Sequence, residues 1–323
     1  MEMKLGRPWL FQIELVEGCN RICTFCGINA IRTAPGNYKY MTEDTLINTV
    51  DQIAQFVPEV KIAWAMHGEP TQHPKANHLI GIARSFIPRS QFTLVTNGRV
   101  MMGRMQESMD KLWASGIDII ALDTYYPERD ELRREARTLD PQIQVIDYYE
   151  EKKLMQKVRP FENHHRKLRH VVVLMDDLGA RDGDDPTRKV HNHAGGGFDR
   201  PALTEPLKKT CQKPFRELAI EWDGTVNLCC EDWLRRYVLG NVNYTTLEVL
   251  WHSPEIEAAR AMLQNKRRDF AACQVCDAPA GARVGFLPKY PPVTPAQEAL
   301  VREVERRGGR DDLIQLRTSK VRA

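Results

Sequence analysis

The eight cysteines of this 323-residue chain are grouped rather than scattered: Cys19, Cys23 and Cys26; then Cys211, Cys229 and Cys230; then Cys273 and Cys276. Clustered short spacings in a reducing compartment favour metal over disulfides, and the even count alone decides nothing. The first group has the spacing Cys-x3-Cys-x2-Cys. Three thiolates on one short loop can hold three irons of a cubane and leave the fourth open to a small molecule. A zinc site would want a fourth Cys or His close by, and none adjoins this loop, although His67 or His73 could reach it from a neighbouring strand. Cys273-Gln274-Val275-Cys276 is a metal-type Cys-x2-Cys pair.

The elements that must hold these groups are those of an α/β protein. Short apolar runs at 10–16, 60–66, 91–95, 117–122, 143–148 and 170–175 alternate with helical patterns, as in βα units with a parallel sheet. The clearest helix spans 43–56: Thr42 can cap it, and Leu46, Ile47, Val50, Ile53 and Ala54 recur at helical spacing. Residues 82–86 and 101–114 read as further connecting helices. Six such units are too few for a closed eight-stranded barrel, so a partial, TIM-like (βα)6 barrel over 8–178 is expected. Residues 179–210, rich in Asp, Gly, Pro and His, read as a linker or active-site loop. A small α+β unit follows at 211–290, with a hairpin turn at Trp222-Asp223-Gly224-Thr225. The tail, 291–323, reads as one exposed helix opened by the capping box Thr294-Pro295-Ala296-Gln297.

Composition adds limits. Hydrophobic residues make up 42% and charged residues 28%, as in an ordinary globular protein. The net charge of +3 neither demands nor excludes a polyanionic partner. No stretch approaches the roughly 20 apolar residues that cross a bilayer, and residues 1–9 lack a signal-peptide core, so a cytoplasmic location and no membrane partner are expected.

The first loop, Cys19-Asn20-Arg21-Ile22-Cys23-Thr24-Phe25-Cys26, resembles the hallmark of the radical S-adenosylmethionine (SAM) superfamily, including the aromatic Phe25 before the third cysteine. Three further segments fit the family order. His67-Gly68-Glu69-Pro70 resembles the Gly-Gly-Glu segment that binds the methionine amino group, with His67 in place of the first glycine, and carries that role to Gly68, Glu69 and Pro70. Thr96-Asn97-Gly98 resembles a segment lining the cofactor site. Ala121-Leu122-Asp123 stands where relatives often have Ser-Leu-Asp, without the serine that would meet the ribose. The resemblance implies a 4Fe–4S cluster on Cys19, Cys23 and Cys26 that cleaves S-adenosylmethionine to a 5′-deoxyadenosyl radical.

The stretch Gly224 to Asp232, then Gly240-Asn241-Val242 and Leu247 to Trp251, resembles the auxiliary-cluster extension called SPASM, or its shorter form, Twitch. That resemblance implies a second, fully coordinated 4Fe–4S cluster on Cys211, Cys229, Cys273 and Cys276, and leaves Cys230 as a spare thiol, hydrogen donor or alternative ligand. Four thiolates at this spacing would also satisfy a structural zinc ion. Asp123, Thr124 and Tyr125, at a strand end, and His193, in a glycine-rich loop, are the candidate substrate residues. The expected enzyme is a radical SAM oxidoreductase or isomerase acting on a sugar, aminocyclitol, amino acid or nucleoside. A base in DNA or RNA, or a peptide, is one alternative, and a zinc-binding structural protein is another. The expected electron donor is a flavodoxin or ferredoxin.

Overall fold

The computed structural model describes residues 6–23, 26, 28, 33, 36–125, 127–147, 169–175, 192, 194, 202–278 and 289–308. Strands β1 (Leu10–Ile13), β2 (Val16–Glu17) and β3 (Lys39–Tyr40) precede helix α1 (Glu43–Phe56), whose cap Thr42 accepts from the Thr45 amide. Then come β4 (Lys61–Trp64), α2 (Ala76–Phe86), β5 (Gln91–Thr96), α3 (Met105–Ala114), β6 (Ile119–Asp123) and α4 (Arg129–Ala136). They are followed by β7 (Gln144–Asp147) and β8 (Val171–Met175), then β9 (Glu217–Ile220), β10 (Thr225–Asn227) and β11 (Val238–Asn241). Helices α5 (Leu247–Trp251), α6 (Pro254–Gln264) and α7 (Pro295–Arg307) complete the described chain.

Nine strands form one sheet in the order β11-β10-β9-β1-β4-β5-β6-β8-β7. From β9 to β7 every neighbouring pair is parallel, so the carboxyl ends of seven strands share one edge. That edge is where a barrel of this kind builds its site. One face carries Phe11, Ile13, Ile62, Trp64, Phe92, Leu94, Ile120 and Leu122 into a single core with the helices. Strand alternation turns Gln12, Lys61, Thr93, Ala121 and Glu217 to the opposite face.

The order departs from six units in succession. The sixth barrel strand, β8, lies between β6 and β7, and the fifth strand, β7, stands at the edge. The residues agree with that exchange. Val171-Val172-Val173-Leu174 is wholly buried, as a central strand requires, whereas β7 exposes Gln144 and half-exposes Val145.

A second difference is that the hairpin after Cys211 continues the barrel sheet: β9 runs parallel to β1, with Leu10 opposite Glu217 and Ile13 opposite Ile220. Its turn uses Gly224 at φ +82, where a side chain would be strained. The first expected strand is two pieces, with β2 pairing β3 in a separate ribbon. The helix expected at 82–86 begins at Ala76. Helix α7 has its capping box, but it is not simply exposed: Val301 and Val304 are buried. Its Glu305 carboxylate accepts from the Ala271 amide at 2.8 Å, beside the turn carrying Cys273. No helix among the described residues is long and apolar enough to cross a membrane.

Candidate active site and cluster centres

Glu69 lies just beyond β4 and caps the short 3-10 turn Pro70–Gln72. It is 3% exposed. Its Oε1 accepts from the Thr71 amide (3.0 Å), the Thr71 hydroxyl (2.5 Å) and the Thr96 hydroxyl (2.7 Å). Oε2 accepts from the Asn97 amide (2.8 Å). A carboxylate has about four lone-pair sites, so Oε1 is saturated and Oε2 retains capacity for one further donor. Burial raises the pKa of Glu69, while the bonds to Asn97, Thr71 and Thr96 oppose that shift.

Gly68 is required by close approach: a Cβ there would lie 1.9 Å from the Val16 carbonyl oxygen and 2.7 Å from that of Gly18. The next amide, of Glu69, donates to the Gly18 carbonyl at 2.9 Å, which pins the cysteine loop to this segment. Asn97 closes the arrangement. Its side-chain amide donates to Asn20 Oδ1 (2.9 Å) and to Cys19 Sγ (3.5 Å), and the Arg21 amide also reaches Cys19 Sγ (3.4 Å). Thr96 and Asn97 are therefore joined to Glu69 between Gly68 and Pro70, and Asn97 links that carboxylate to Cys19.

On the other side, the Tyr125 hydroxyl donates to Asp123 Oδ2 at 3.1 Å, and the Arg21 guanidinium sits over the Tyr125 ring at 5.2 Å. Burial, then the Asp123 and Cys23 charges, push the Tyr125 phenol well above its usual range. Arg21 is paired with Glu128, which also takes Arg99 at 3.1 Å. Thr124 is not turned to the site, because its hydroxyl donates to the Met175 carbonyl at 2.7 Å. Phe25 and His193 lie outside the described residues.

The residues fit an open cubane on the first loop. Burial pushes the Cys19 and Cys26 thiols up to about 12, with Glu69 and the neighbouring cysteines adding to it for Cys19 and Cys23 adding to it for Cys26. Bound iron is what makes such thiols thiolates. Neither candidate fourth ligand is available to zinc. His73 contacts the Met41 carbonyl (3.0 Å) and the Lys75 amide (3.0 Å), and both ring nitrogens of His67 are likewise engaged, Nε2 with the Cys230 carbonyl (3.1 Å) and Nδ1 with Glu14 Oε1 (3.3 Å).

The second set behaves as a group. Burial, then the charges of Cys230, Cys273 and Cys211, raises the Cys229 thiol; burial, then the charges of Cys211 and Cys276, raises that of Cys273. Yet no three of these sulfurs lie within 4.8 Å of one another; among the described residues only three glutamates do. Zn–S bonds of about 2.3 Å would require sulfurs about 3.8 Å apart in a tetrahedron. Two cations lie beside this set: Lys213 lowers Cys229, and Arg268, 2% exposed, lowers Cys273 and Cys276.

Residues 13–158 match the radical SAM superfamily, and residues 211–277 match an iron–sulfur cluster-binding domain, SPASM. The chain belongs to the radical SAM superfamily. A radical SAM enzyme with a SPASM region takes S-adenosylmethionine and 4Fe–4S clusters, as the donor sets above allow. The S-adenosyl-L-methionine-dependent 2-deoxy-scyllo-inosamine dehydrogenase of Niallia circulans is 20% identical over 271 residues, 83% of this chain and 92% of its own. Among solved structures, BtrN in complex with AdoMet and 2-DOIA is similar with a TM-score of 0.63 at 20% identity, covering 86% of this chain and 95% of its own. BtrN in an open conformation gives 0.54 at 17% identity, covering 85% and 94%.

Cys230, singled out in the sequence, lies in a turn beyond β10 with its sulfur 3.2 Å from Lys213 Nζ. Other residues near the second cysteine set gave no signal in the sequence. Lys213 in turn meets Glu231 at 3.1 Å. Asn192, fully buried, donates to the Val275 carbonyl at 2.6 Å, and Ala194 packs with Cys276. The described residues of that loop are thus seated on the second cysteine set. A lone Asn between two histidines offers nothing in sequence to reveal this.

Proposed function

We propose that this enzyme removes a hydrogen atom from a compact polar substrate of the sugar or aminocyclitol class and oxidises it by two electrons. The observation that carries this reading is the continuous sheet, in which β9 lies parallel to β1. The closed cysteine set is thereby built onto the barrel wall, where an electron acceptor serves oxidation and a redox-neutral rearrangement has no need of one. The relative over 92% of its length is, by its name, a dehydrogenase of 2-deoxy-scyllo-inosamine. When bound, the first cluster and S-adenosylmethionine supply a hydrogen-abstracting radical, and the second cluster an acceptor for the electron left over.

The chain's own residues hold and deprotonate. Glu69 Oε2, with room for one more donor, takes the methionine ammonium beside Gly68 and Pro70, and Thr96 and Asn97 fix that carboxylate. Asp123, held by the Tyr125 hydroxyl at the end of β6, accepts the proton that the substrate hydroxyl releases as its carbon becomes a carbonyl. A flavodoxin or ferredoxin supplies the first electron.

The test is an anaerobic assay with dithionite and a panel of aminocyclitols, amino sugars, nucleosides and peptides, each deuterated at carbon. A ketone formed with one 5′-deoxyadenosine per turnover, and deuterium carried into it from a polyol, is the expected result. Product isomeric with substrate, or deuterium transfer from nucleosides or peptides alone, contradicts the reading.

A further inference from the structure

Three arginines are buried among the described residues: Arg235, Arg260 and Arg268. A buried guanidinium needs an anion close by. Arg235 meets Glu221, and Arg260 meets Glu257. Arg268, 2% exposed, forms no ion pair with any carboxylate of the described residues. Acids are not scarce around it. Arg267, the residue before it, is partly exposed and takes Asp269 at 2.9 Å and Glu298 at 2.8 Å. The outer arginine thus engages the carboxylates, and the inner one is left to an anion of another kind.

The guanidinium carries five N–H groups on three nitrogens. Nε donates to the Lys209 carbonyl at 3.1 Å and Nη1 to the Ala278 carbonyl at 3.2 Å. Those carbonyls stand two residues before Cys211 and two after Cys276, so the guanidinium is fixed between the two ends of the second cysteine set. Ala278 tightens the link, because its own amide donates to Cys276 Sγ at 3.4 Å. Nη2 is buried and has no hydrogen-bond partner. The charge of Arg268 nevertheless bears on cysteines: it opposes the rise that burial gives the Cys273 and Cys276 thiols.

We propose that Arg268 is a hydrogen-bond donor to the second iron–sulfur cluster, giving Nη2 to the sulfurs beside Cys273 and Cys276 and raising the cluster's reduction potential. The loaded cluster supplies the anion that the buried guanidinium lacks and the acceptor that Nη2 lacks. Hydrogen bonds to sulfur tune such potentials, and a cation favours the more negative, reduced state. Arg268 therefore makes the second cluster a readier acceptor for the electron that substrate oxidation leaves over. It acts through the cluster, as a positioning residue, and the inference rests on the second cluster of the proposed oxidation.

The test uses the full chain with both clusters loaded, verified by iron and zinc content. The second cluster is recognised as the one whose EPR signal S-adenosylmethionine leaves unchanged. The parent protein is first made with arginine carrying 15N in the guanidino group. Pulsed EPR of the reduced second cluster should show a 15N coupling that disappears in Arg268→Lys. A redox titration then compares the parent with Arg268→Lys and Arg268→Gln. At the parent's midpoint, the oxidised-to-reduced ratio of the second cluster should rise roughly tenfold in Arg268→Gln, about 59 mV for one electron, and less in Arg268→Lys, which keeps the charge. The ratio of the first cluster should not move. A loaded second cluster with no 15N coupling in the parent overturns the proposal, even if both variants misfold. A coupling that persists in folded Arg268→Lys, or an unchanged ratio in folded Arg268→Gln, overturns it too. Zinc in place of the second cluster would overturn this inference together with the proposed oxidation, whereas a loaded cluster without the coupling overturns this inference alone.

Discussion

Replacing Glu69 by Gln removes one charge and almost no volume, and its consequence follows from the four protein donors on that carboxylate. If the amide oxygen keeps the place of Oε1, with its three donors, the new NH2 group faces the Asn97 amide, donor against donor. The reverse orientation sets NH2 against three donors, one of them the Thr71 backbone, and is worse. The lesser case loses one charge-assisted bond and leaves a buried N–H unmet, about 1.5–3 kcal/mol. Asn97 also holds Asn20 and Cys19, so the disturbance reaches the cluster loop. An ammonium that had used the remaining capacity of Oε2 loses its partner charge too. Glu69→Gln should therefore bind S-adenosylmethionine ten- to a hundredfold more weakly, at about 1.4 kcal/mol per decade, with iron and sulfide unchanged. Anaerobic calorimetry reads the affinity and urea unfolding the stability. Affinity within twofold of the parent, with an unmoved unfolding midpoint, refutes the reasoning.

Because burial raises the Glu69 pKa, its neutral form appears above the ordinary carboxylate range as pH falls; the neutral form cannot pair an ammonium, so S-adenosylmethionine affinity should decline on acidification in the parent and not in Glu69→Gln. Replacing Cys19, Cys23 and Cys26 by Ala should leave about half of roughly eight irons and abolish 5′-deoxyadenosine formation, as iron assay and chromatography will show. Lys213→Met removes a cation beside Cys229. A unit charge about 7 Å away at an effective dielectric of about 20 is worth about 2 kcal/mol, so the second cluster's midpoint potential should fall by on the order of 100 mV in an EPR-monitored titration.

The cysteines were legible because ligand spacing is a local property of the chain, and so was α1, whose apolar stripe and Thr42 cap are both written in sequence. What escaped was tertiary. Residues 144–147 and 171–175 both read as strands, but nothing local states that the later one inserts inside the earlier. The burial of all four residues of β9 follows from its place beside β1, a partner more than 200 residues earlier in the chain. Helix α7 did carry a signal, Val301 and Val304 three apart on one face, and that stripe is the side it buries. His67 reads as a departure from a glycine pattern; only the fold shows its ring between Glu14 and the Cys230 carbonyl.

The central claim is that the two cysteine sets perform different tasks: the first cleaves the cofactor, and the second serves oxidation of the substrate. It is tested most directly in a Cys273→Ala, Cys276→Ala protein shown by circular dichroism and gel filtration to be folded, assayed under dithionite for both 5′-deoxyadenosine and product. The account predicts that 5′-deoxyadenosine still forms while oxidised product does not. Normal product formation by that protein would contradict it.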